Sequence, residues 1–233
     1  MSEAFDRVRH VRELPLFPLP IAIFPGVPLP LHIFEPRYQA MLKDARAGNN
    51  LIGISYFDAS ESETETPPAG HVGCVAEIIE AQEQPDGRSN IITVGVIRYH
   101  IDEYIERGDS YLVGRPTFFE DEVEDETELN QRAREVTELF MRIARAMRTL
   151  NNERAGLPDL PEADPERLSF LIAAALEIDS DIKLELMEMR STTLRLTRIR
   201  DLLKQAASNY EERARVHGIA KTNGHSGKKF PSG

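Results

Sequence analysis

The 233-residue chain lacks tryptophan and has one cysteine, Cys74. A single cysteine excludes an internal disulfide, and without a cysteine cluster there is no cysteine-based zinc site. The chain opens with MSEAFDRVRHVREL, which is charged and lacks the apolar stretch of a signal peptide. No apolar run reaches the roughly 18–20 residues that a membrane-spanning helix needs. We therefore expect a cytoplasmic protein without a membrane partner.

Positive charge is also scarce. The formal net charge is −11, from 28 Lys and Arg against 39 Asp and Glu. Residues 1–118 carry ten basic and seventeen acidic side chains, a net of −7, and residues 119–233 carry eighteen and twenty-two, a net of −4. Because proteins bind nucleic acids largely by neutralising phosphates with Lys and Arg, this composition argues against a nucleic-acid partner.

The motifs of common catalytic and cofactor sites are missing from the sequence. There is no GxxxxGK[ST], GxGxxG, GxSxG, HExxH or CxxC, and no two of the six histidines lie four residues apart. We expect Cys74 to be buried and inert. The alternating Glu61, Glu63 and Glu65 could bind a cation, but a solvated loop is the ordinary interpretation. We predict no catalytic residue, no metal and no cofactor.

Residues 15–38 combine seven of the fifteen prolines with the apolar content of a core, in PLFPLPIAIFPGVPLPLHIFEPRY. Proline occurs at strand starts, edges and bulges rather than within a paired central strand. The pattern predicts short, bent strands joined at the turn dipeptide Pro25-Gly26. A small, curved barrel can place prolines at its corners and bury the residues between them. We expect that core to include Phe17, Leu31, Ile33 and Ile54.

The sequence after residue 35 contains patterns typical of helices and of a β-hairpin. Pro36 lies in the first turn of a predicted helix that Gly48 ends. Two longer β runs are joined by the turn sequence at 85–88, Pro-Asp-Gly-Arg. After an acidic stretch, apolar residues recur at steps of three and four, which predicts helices. The fold class is therefore α+β. We predict an N-terminal extension at 1–11, a β-barrel at 12–118, an acidic linker at 119–128, a C-terminal helical bundle at 129–216 and a flexible tail at 217–233.

Three segments resemble the Lon protease N-terminal domain, and in particular its stand-alone bacterial form. They are ELPLFPLPIAIFPGVPLPLHIFEPRYQAML, then HVGCVAEIIEAQEQPDGRSNIITVGVIRYHI, and last the helices that begin with DPERLSFLIAAAL and IKLELMEM. The resemblance covers about residues 12–206 and includes the related domain of cereblon. It implies a PUA-like β-barrel followed by a helical bundle. It also implies that the chain is not an enzyme, because about 25 residues remain for the ATPase and Ser-Lys protease domains of a full Lon protease.

The resemblance implies a non-catalytic module that binds exposed apolar or unfolded polypeptide segments, or an adaptor linked to proteolysis. Candidate binding residues are Phe24, Pro25, Val27 and Tyr56. For Phe24 and Val27 the alternative is a place in the barrel core.

A second functional class stays open. PUA-like domains also bind small ligands or RNA, and such a site would need a basic cleft, here around Arg37, Arg98 and Arg115. The client and the oligomeric state are left undetermined.

Overall fold

The computed structural model describes residues 2–58, 60, 66–151 and 163–223. These residues form an α+β fold, as predicted, with six strands and six helices. The strands are β1 (Leu14–Leu19), β2 (Pro28–Ile33), β3 (Leu51–Tyr56), β4 (Val72–Glu83), β5 (Ser89–Tyr104) and β6 (Leu112–Phe119). The helices are α1 (Glu3–Val8), α2 (Pro36–Ala47), α3 (Glu126–Asn151), α4 (Pro165–Ala175), α5 (Ser180–Glu188) and α6 (Thr192–Asn223).

The sheet closes on itself. Its strand order is β2-β5-β4-β3-β1-β6, and β6 pairs with β5 as well as with β1. β1 and β3 run parallel, and the other pairs are antiparallel. The 16-residue β5 is long enough to pair with β2 through its first part and with β6 through its second. The finer assignments, a PUA-like barrel and a C-terminal helical bundle, stay predictions.

The prolines of β1 and β2 lie where one side of the strand is unpaired. Pro15 belongs to the part of β1 that pairs with β6, and Pro18 to the part that pairs with β3. β2 is an edge strand that pairs with β5 alone, and it carries Pro28 and Pro30. Because proline lacks an N–H, it is tolerated where the strand has a free side. The predicted short strands with proline at their edges are confirmed.

The predicted turns and the predicted ends of α2 are confirmed. Gly26 and Gly87 adopt φ values of +75° and +86°, a left-handed conformation that glycine reaches without steric cost. α2 begins at Pro36, and the N–H of its C-cap Gly48 donates to the carbonyl of Asp44 at 3.1 Å. Each signal depends on neighbours in sequence, which explains why it could be predicted.

Two apolar clusters fill the interior of the sheet and its flanks. One packs α2, through Met41 and Leu42, on a group that contains Phe17, Ile33 and Ile54. All three of those predicted core residues are buried. Leu31, predicted in the core, is only partly buried at the edge of this cluster, because it lies on the edge strand.

The second cluster includes a helix that the sequence analysis missed. α1 lies in the predicted N-terminal extension, and its Val8 is fully buried among residues of β1 and β5. Ser2 caps the helix by accepting the N–H of Phe5 at 3.1 Å. One apolar turn on a charged segment gives too weak a periodic signal to predict a helix.

The chain divides into two compact units at boundaries that differ from those predicted. The sheet unit comprises Met1–Val123 and Glu166–Ser191, and the helical unit comprises Glu124–Pro165 and Thr192–Gly233. α4 and α5, expected in the bundle at 129–216, therefore group with the sheet. Helical periodicity shows that a segment has an apolar face but not which element covers that face.

The helical unit pairs α3 with α6. Their buried faces include Val136, Leu139, Ile199 and Leu203, at the predicted helical spacing. Arg195 is also fully buried and donates to the Thr192 hydroxyl at 3.2 Å. α6 continues to Asn223, so the first part of the predicted flexible tail at 217–233 is helical. Residues 224–233 lie outside the described residues.

A buried charge holds the sheet unit together. Arg98 of β5 is 1% exposed, and its guanidinium pairs with the Asp121 carboxylate, whose side chain is 4% exposed. The same guanidinium donates to the carbonyl of Met187 at 2.9 Å and to that of Met189 at 2.6 Å. These bonds tie β5 to the end of α5 and to the segment after β6.

Aromatic rings flank the same guanidinium. The ring centroids of Phe119 and Phe170 lie 4.6 and 5.1 Å from the Arg98 Cζ atom. A cation over an aromatic face is stabilised by the ring quadrupole, more strongly away from water. Arg98 therefore also joins the end of β6 to α4.

We predict that Arg98→Met lowers the free energy of unfolding by about 3–5 kcal/mol, because it removes the cation that pairs with the buried Asp121 carboxylate. Arg115→Met is the matched control, since Arg115 pairs with Glu103 on the surface, where an ion pair contributes about 1 kcal/mol or less. Urea unfolding of both variants measures the difference. Equal losses for the two variants would contradict the central role of Arg98.

We predict that His71 makes the stability of the fold depend on pH. Burial lowers the pKa of His71. A hydrogen bond with the Tyr56 backbone and the charge of the Glu188 carboxylate act in the opposite direction, but their combined effect is smaller. The unfolded chain, with an ordinary histidine pKa near 6.5, then binds the proton more readily than the folded chain. The contribution of His71 to the free energy of unfolding is fully present above about pH 6.5. It is lost as the pH falls towards the lowered pKa of His71 in the folded chain. His71→Gln should flatten this part of a melting-temperature profile, and an unchanged profile would contradict the assignment.

Candidate functional site

A groove of about 710 Å³ opens in the sheet unit. Its lining comes from the end of β1 (residues 17–20), the end of β2 and the residue after it (31–34), and the first turn of α2. Residues 57, 58, 60 and 66, after β3, and Leu112 at the start of β6 complete it. We call this the apolar groove.

The end of β1 contributes a strand edge that carries acceptors. β6 pairs with β1 over Leu14–Leu16, so the following residues have β3 on one side. The N–H of Phe57 donates to the Leu19 carbonyl at 2.7 Å, which shows that Leu19 faces β3. Backbone groups alternate in direction along a strand, so the Pro18 carbonyl faces the opposite way. Pro18 has no N–H, and this edge offers an acceptor without a donor.

β2 contributes a second strand edge, which carries carbonyl acceptors and one N–H donor. The Thr93 hydroxyl donates to the Leu29 carbonyl at 3.0 Å, so Leu29 faces β5. Alternation then turns the backbone groups of Pro30 and His32 to the open side. β1 and β2 are not paired with each other in the described sheet. Prolines on both edges disfavour further strand pairing, which keeps the groove open.

The groove surface is mainly apolar. Phe34 is 59% exposed, although large apolar side chains are usually covered. Its ring stacks on the His32 imidazole at 5.9 Å between centroids, which limits its motion. At the base, Phe17 packs against Tyr38 at 4.3 Å. Such a surface suits an apolar ligand that can cover the Phe34 ring.

Among the described lining residues, three carry charged side chains, Glu35, Arg37 and Asp58. Arg37 pairs with Glu35 at 2.8 Å, and its guanidinium lies 4.5 Å from the centroid of the Tyr38 ring. Asp58 accepts the N–H of Ser60 at 2.9 Å. Burial raises the pKa of Tyr38, while Arg37 lowers it by less, so the phenol is protonated at neutral pH. The groove therefore offers contacts for binding.

The single thiol is buried and is not among the groove lining residues. Cys74 is fully buried in β4, and burial raises its pKa to about 12. A thiol of that pKa is protonated at neutral pH and is a poor nucleophile. The predicted burial of Cys74 is confirmed, and the raised pKa supports its predicted inert role.

Metal-binding groups and membrane spans are not found in the described part of the chain. It contains no group of three or more His, Cys, Asp or Glu side chains placed to hold a metal ion. Glu61, Glu63 and Glu65 lie outside that part. Among the helices at 3–223, none is both long and apolar enough to cross a bilayer.

The four candidate residues from the sequence do not line the apolar groove. Phe24 is fully buried, with its ring centroid 6.1 Å from that of Phe170 in α4. Its position favours the core alternative. Pro25 forms a β-bridge with Gly95, while Val27 and Tyr56 are half-buried. A binding role for these four residues stays a prediction.

The three arginines considered for an anion site are each paired with a carboxylate. Arg98 is buried against Asp121, Arg37 pairs with Glu35, and Arg115 pairs with Glu103. These side chains therefore do not form the basic cleft that the small-ligand or RNA alternative requires.

Sequence reasoning missed Phe34. The residue follows β2 directly, and the alternation of Pro28, Pro30 and His32 on the exposed face continues to Phe34. That alternation was available as a signal. It needed the knowledge that β2 is an edge strand, which the sequence does not supply.

Two solved structures share the fold of this chain. A Lon N-terminal domain protein from Xanthomonas campestris superposes with a TM-score of 0.59 at 20% identity, covering 81% of this chain and 97% of that one. The N-terminal domain of a Mycobacterium avium complex Lon protease gives a TM-score of 0.58 at 18% identity, covering 84% and 98%. At these identities the likeness establishes the fold.

The sequence establishes the family. Residues 13–205 match the ATP-dependent protease La (LON) substrate-binding domain, and the chain belongs to this family. Relatives include Lon protease of Trichlorobacter lovleyi, 26% identical over 94% of this chain and 27% of that protein. Lon protease of Parabacteroides distasonis is 34% identical over 54% of this chain and 15% of that protein. The chain thus spans about a quarter or less of these relatives' length.

We predict that Phe17→Ala and Phe34→Ala differ in their effect on stability. Phe17 is buried, and its truncation should lower the free energy of unfolding by about 3–5 kcal/mol. Phe34 is largely exposed, and its loss should cost less than about 1 kcal/mol. Urea unfolding measures both. If Phe34→Ala were as damaging as Phe17→Ala, Phe34 would belong to the core and the groove would be smaller than described.

Proposed function

We propose that this chain binds extended apolar segments of other proteins in the apolar groove. The observation that carries the proposal is the 59% exposed Phe34 ring beside a groove of about 710 Å³. Membership of a substrate-binding domain family supports it. An exposed aromatic beside a concave apolar surface is typical of a site that binds another chain.

The groove walls are rigid before binding. The ends of β1 and β2 are held by pairing with β3 and β5, and proline fixes φ at Pro18 and Pro30. A surface that is already ordered loses little conformational entropy when it binds. The client, in contrast, must give up the freedom of an unfolded segment. We therefore expect micromolar affinity, roughly −8 kcal/mol.

We further propose that the matched domain is non-catalytic and acts as an adaptor linked to proteolysis. The relatives that it matches are named Lon proteases, and the match covers their substrate-binding domain. A domain that holds an apolar segment could present unfolded proteins to a protease. The closed sheet at the centre of the fold supports the finer assignment to a PUA-like barrel.

The test is binding of a fluorescently labelled, permanently unfolded protein, reduced carboxymethylated lactalbumin, followed by fluorescence anisotropy. We expect Phe34→Ser to raise Kd about tenfold, equivalent to about 1.4 kcal/mol, because an aromatic contact is lost. Urea unfolding confirms that the variant is folded.

Val27→Ser is the matched control, because Val27 is apolar, half-buried and outside the groove lining. It should leave Kd within a factor of two of the parent, on the order of 0.4 kcal/mol. If Val27→Ser weakens binding and Phe34→Ser does not, the client site is the one first predicted from the sequence. Absence of any binding by the parent would reject the proposed function.

A further inference from the structure

We propose that the apolar groove selects apolar segments flanked by Lys or Arg over segments flanked by Asp or Glu. This selectivity rests on the proposed function, because it requires that the groove bind polypeptide segments. It names the class of segment by the charge that surrounds the apolar contact.

Charged side chains in the groove lining set the first preference. Two carboxylates, Glu35 and Asp58, and one guanidinium, Arg37, are among the described lining residues, a formal net charge of −1. Glu35 is half-buried, and it is paired with Arg37 at 2.8 Å. Asp58, on the segment after β3, adds a second carboxylate whose Oδ1 accepts the N–H of Ser60 at 2.9 Å. A cationic side chain beside the Phe34 contact gains from this field, and an anionic one loses.

Backbone groups on the strand edges strengthen the preference. Pro18 and Pro30 turn carbonyl oxygens to the open sides of β1 and β2 and have no N–H to offer. The N–H of His32 is one donor on the same side of β2, so carbonyl acceptors outnumber N–H donors along these two edges. Ammonium and guanidinium groups carry only donors, whereas carboxylates carry only acceptors. Hydrogen bonding and charge favour the same class of flanking residue.

The charge of the whole chain acts in the same direction at longer range. The net charge is −11, and residues 1–118 account for −7 of it. Attraction between exposed charges weakens as salt shortens the screening length. Selection of basic flanks should thus be strong at low ionic strength and small at high ionic strength. Binding through apolar contacts alone lacks this dependence.

The experiment uses three fluorescein-labelled peptides with one apolar core, Leu-Val-Phe-Ala-Leu, flanked on each side by two Lys, two Ser or two Glu. Their Kd values for the full chain are measured by anisotropy at about 0.01 M and about 1 M salt, where the screening length is about 30 and about 3 Å. At low salt we expect the Lys-flanked peptide to bind about three- to tenfold more tightly than the Ser-flanked one, because exposed ion pairs are individually weak. The Glu-flanked peptide should bind more weakly than both.

The double variant Glu35→Gln, Asp58→Asn assigns the effect to the groove. It changes the formal charge of the described lining residues from −1 to +1, and the asparagine side chain can still accept the hydrogen bond that holds the turn at Ser60. Glu35 makes no side-chain cap bond to α2, so its replacement leaves the helix start intact. The Lys-flanked advantage should disappear or reverse.

The control Glu80→Gln, Asp86→Asn changes the net charge by the same amount outside the groove lining. It should retain most of the Lys-flanked advantage.

The outcomes distinguish the charge selectivity from the binding function. If the Ser-flanked peptide binds and the Lys-flanked peptide binds no better, the charge selectivity is rejected and the proposed function stands. If the control variant loses the advantage as fully as the groove variant, the selectivity belongs to the net charge of the chain and the groove assignment is wrong. If none of the peptides binds, the proposed function fails first.

Discussion

The buried Arg98–Asp121 pair is the interaction on which the arrangement of the sheet unit depends. Removing a guanidinium from water is costly, and only a full set of partners makes it tolerable. Asp121, the carbonyls of Met187 and Met189, and the rings of Phe119 and Phe170 contribute to that set from three separate segments, at 119–121, in α4 and at the end of α5. Those segments must therefore meet around the Arg98 guanidinium before its charge and its N–H donors are all paired. An apolar contact at the same place would tolerate many relative positions, whereas hydrogen bonds to a planar guanidinium tolerate few.

The prolines of the first forty residues also protect the open edges of the sheet. Strand edges are templates for further pairing, and a sheet that leaves edges open usually protects them. Here β1 and β2 keep unpaired edges beside a groove, and prolines stand on both. The same residues fix the backbone, withhold N–H donors and limit pairing with another strand. The groove can thus expose apolar surface while its edges remain poor templates for aggregation.

The Arg98–Asp121 pair and the edge prolines have different structural roles within the sheet unit. The buried charge positions α4 and α5, and the apolar clusters hold α1 and α2 against the sheet. The groove is left with rigid walls and one large exposed ring, Phe34. An apolar surface that is already ordered suits weak binding of apolar segments of varied sequence, with the charge of the flanking residues as the proposed basis of selection. That property agrees with membership of a substrate-binding domain family.

The sequence by itself determined the α+β class, the family, the turns at Gly26 and Gly87, and the start of α2 at Pro36, because each depends on residues close together in the chain. The apolar pattern also identified buried positions such as Ile33 and Ile54. Tertiary structure alone decided that Phe24 is core and Phe34 is exposed, since both are Phe residues in one apolar run and differ in which element covers them. It likewise decided that Arg98 is buried and that α4 and α5 group with the sheet. Periodicity shows that a face is apolar, but the partner of that face is chosen by contacts between residues far apart in sequence.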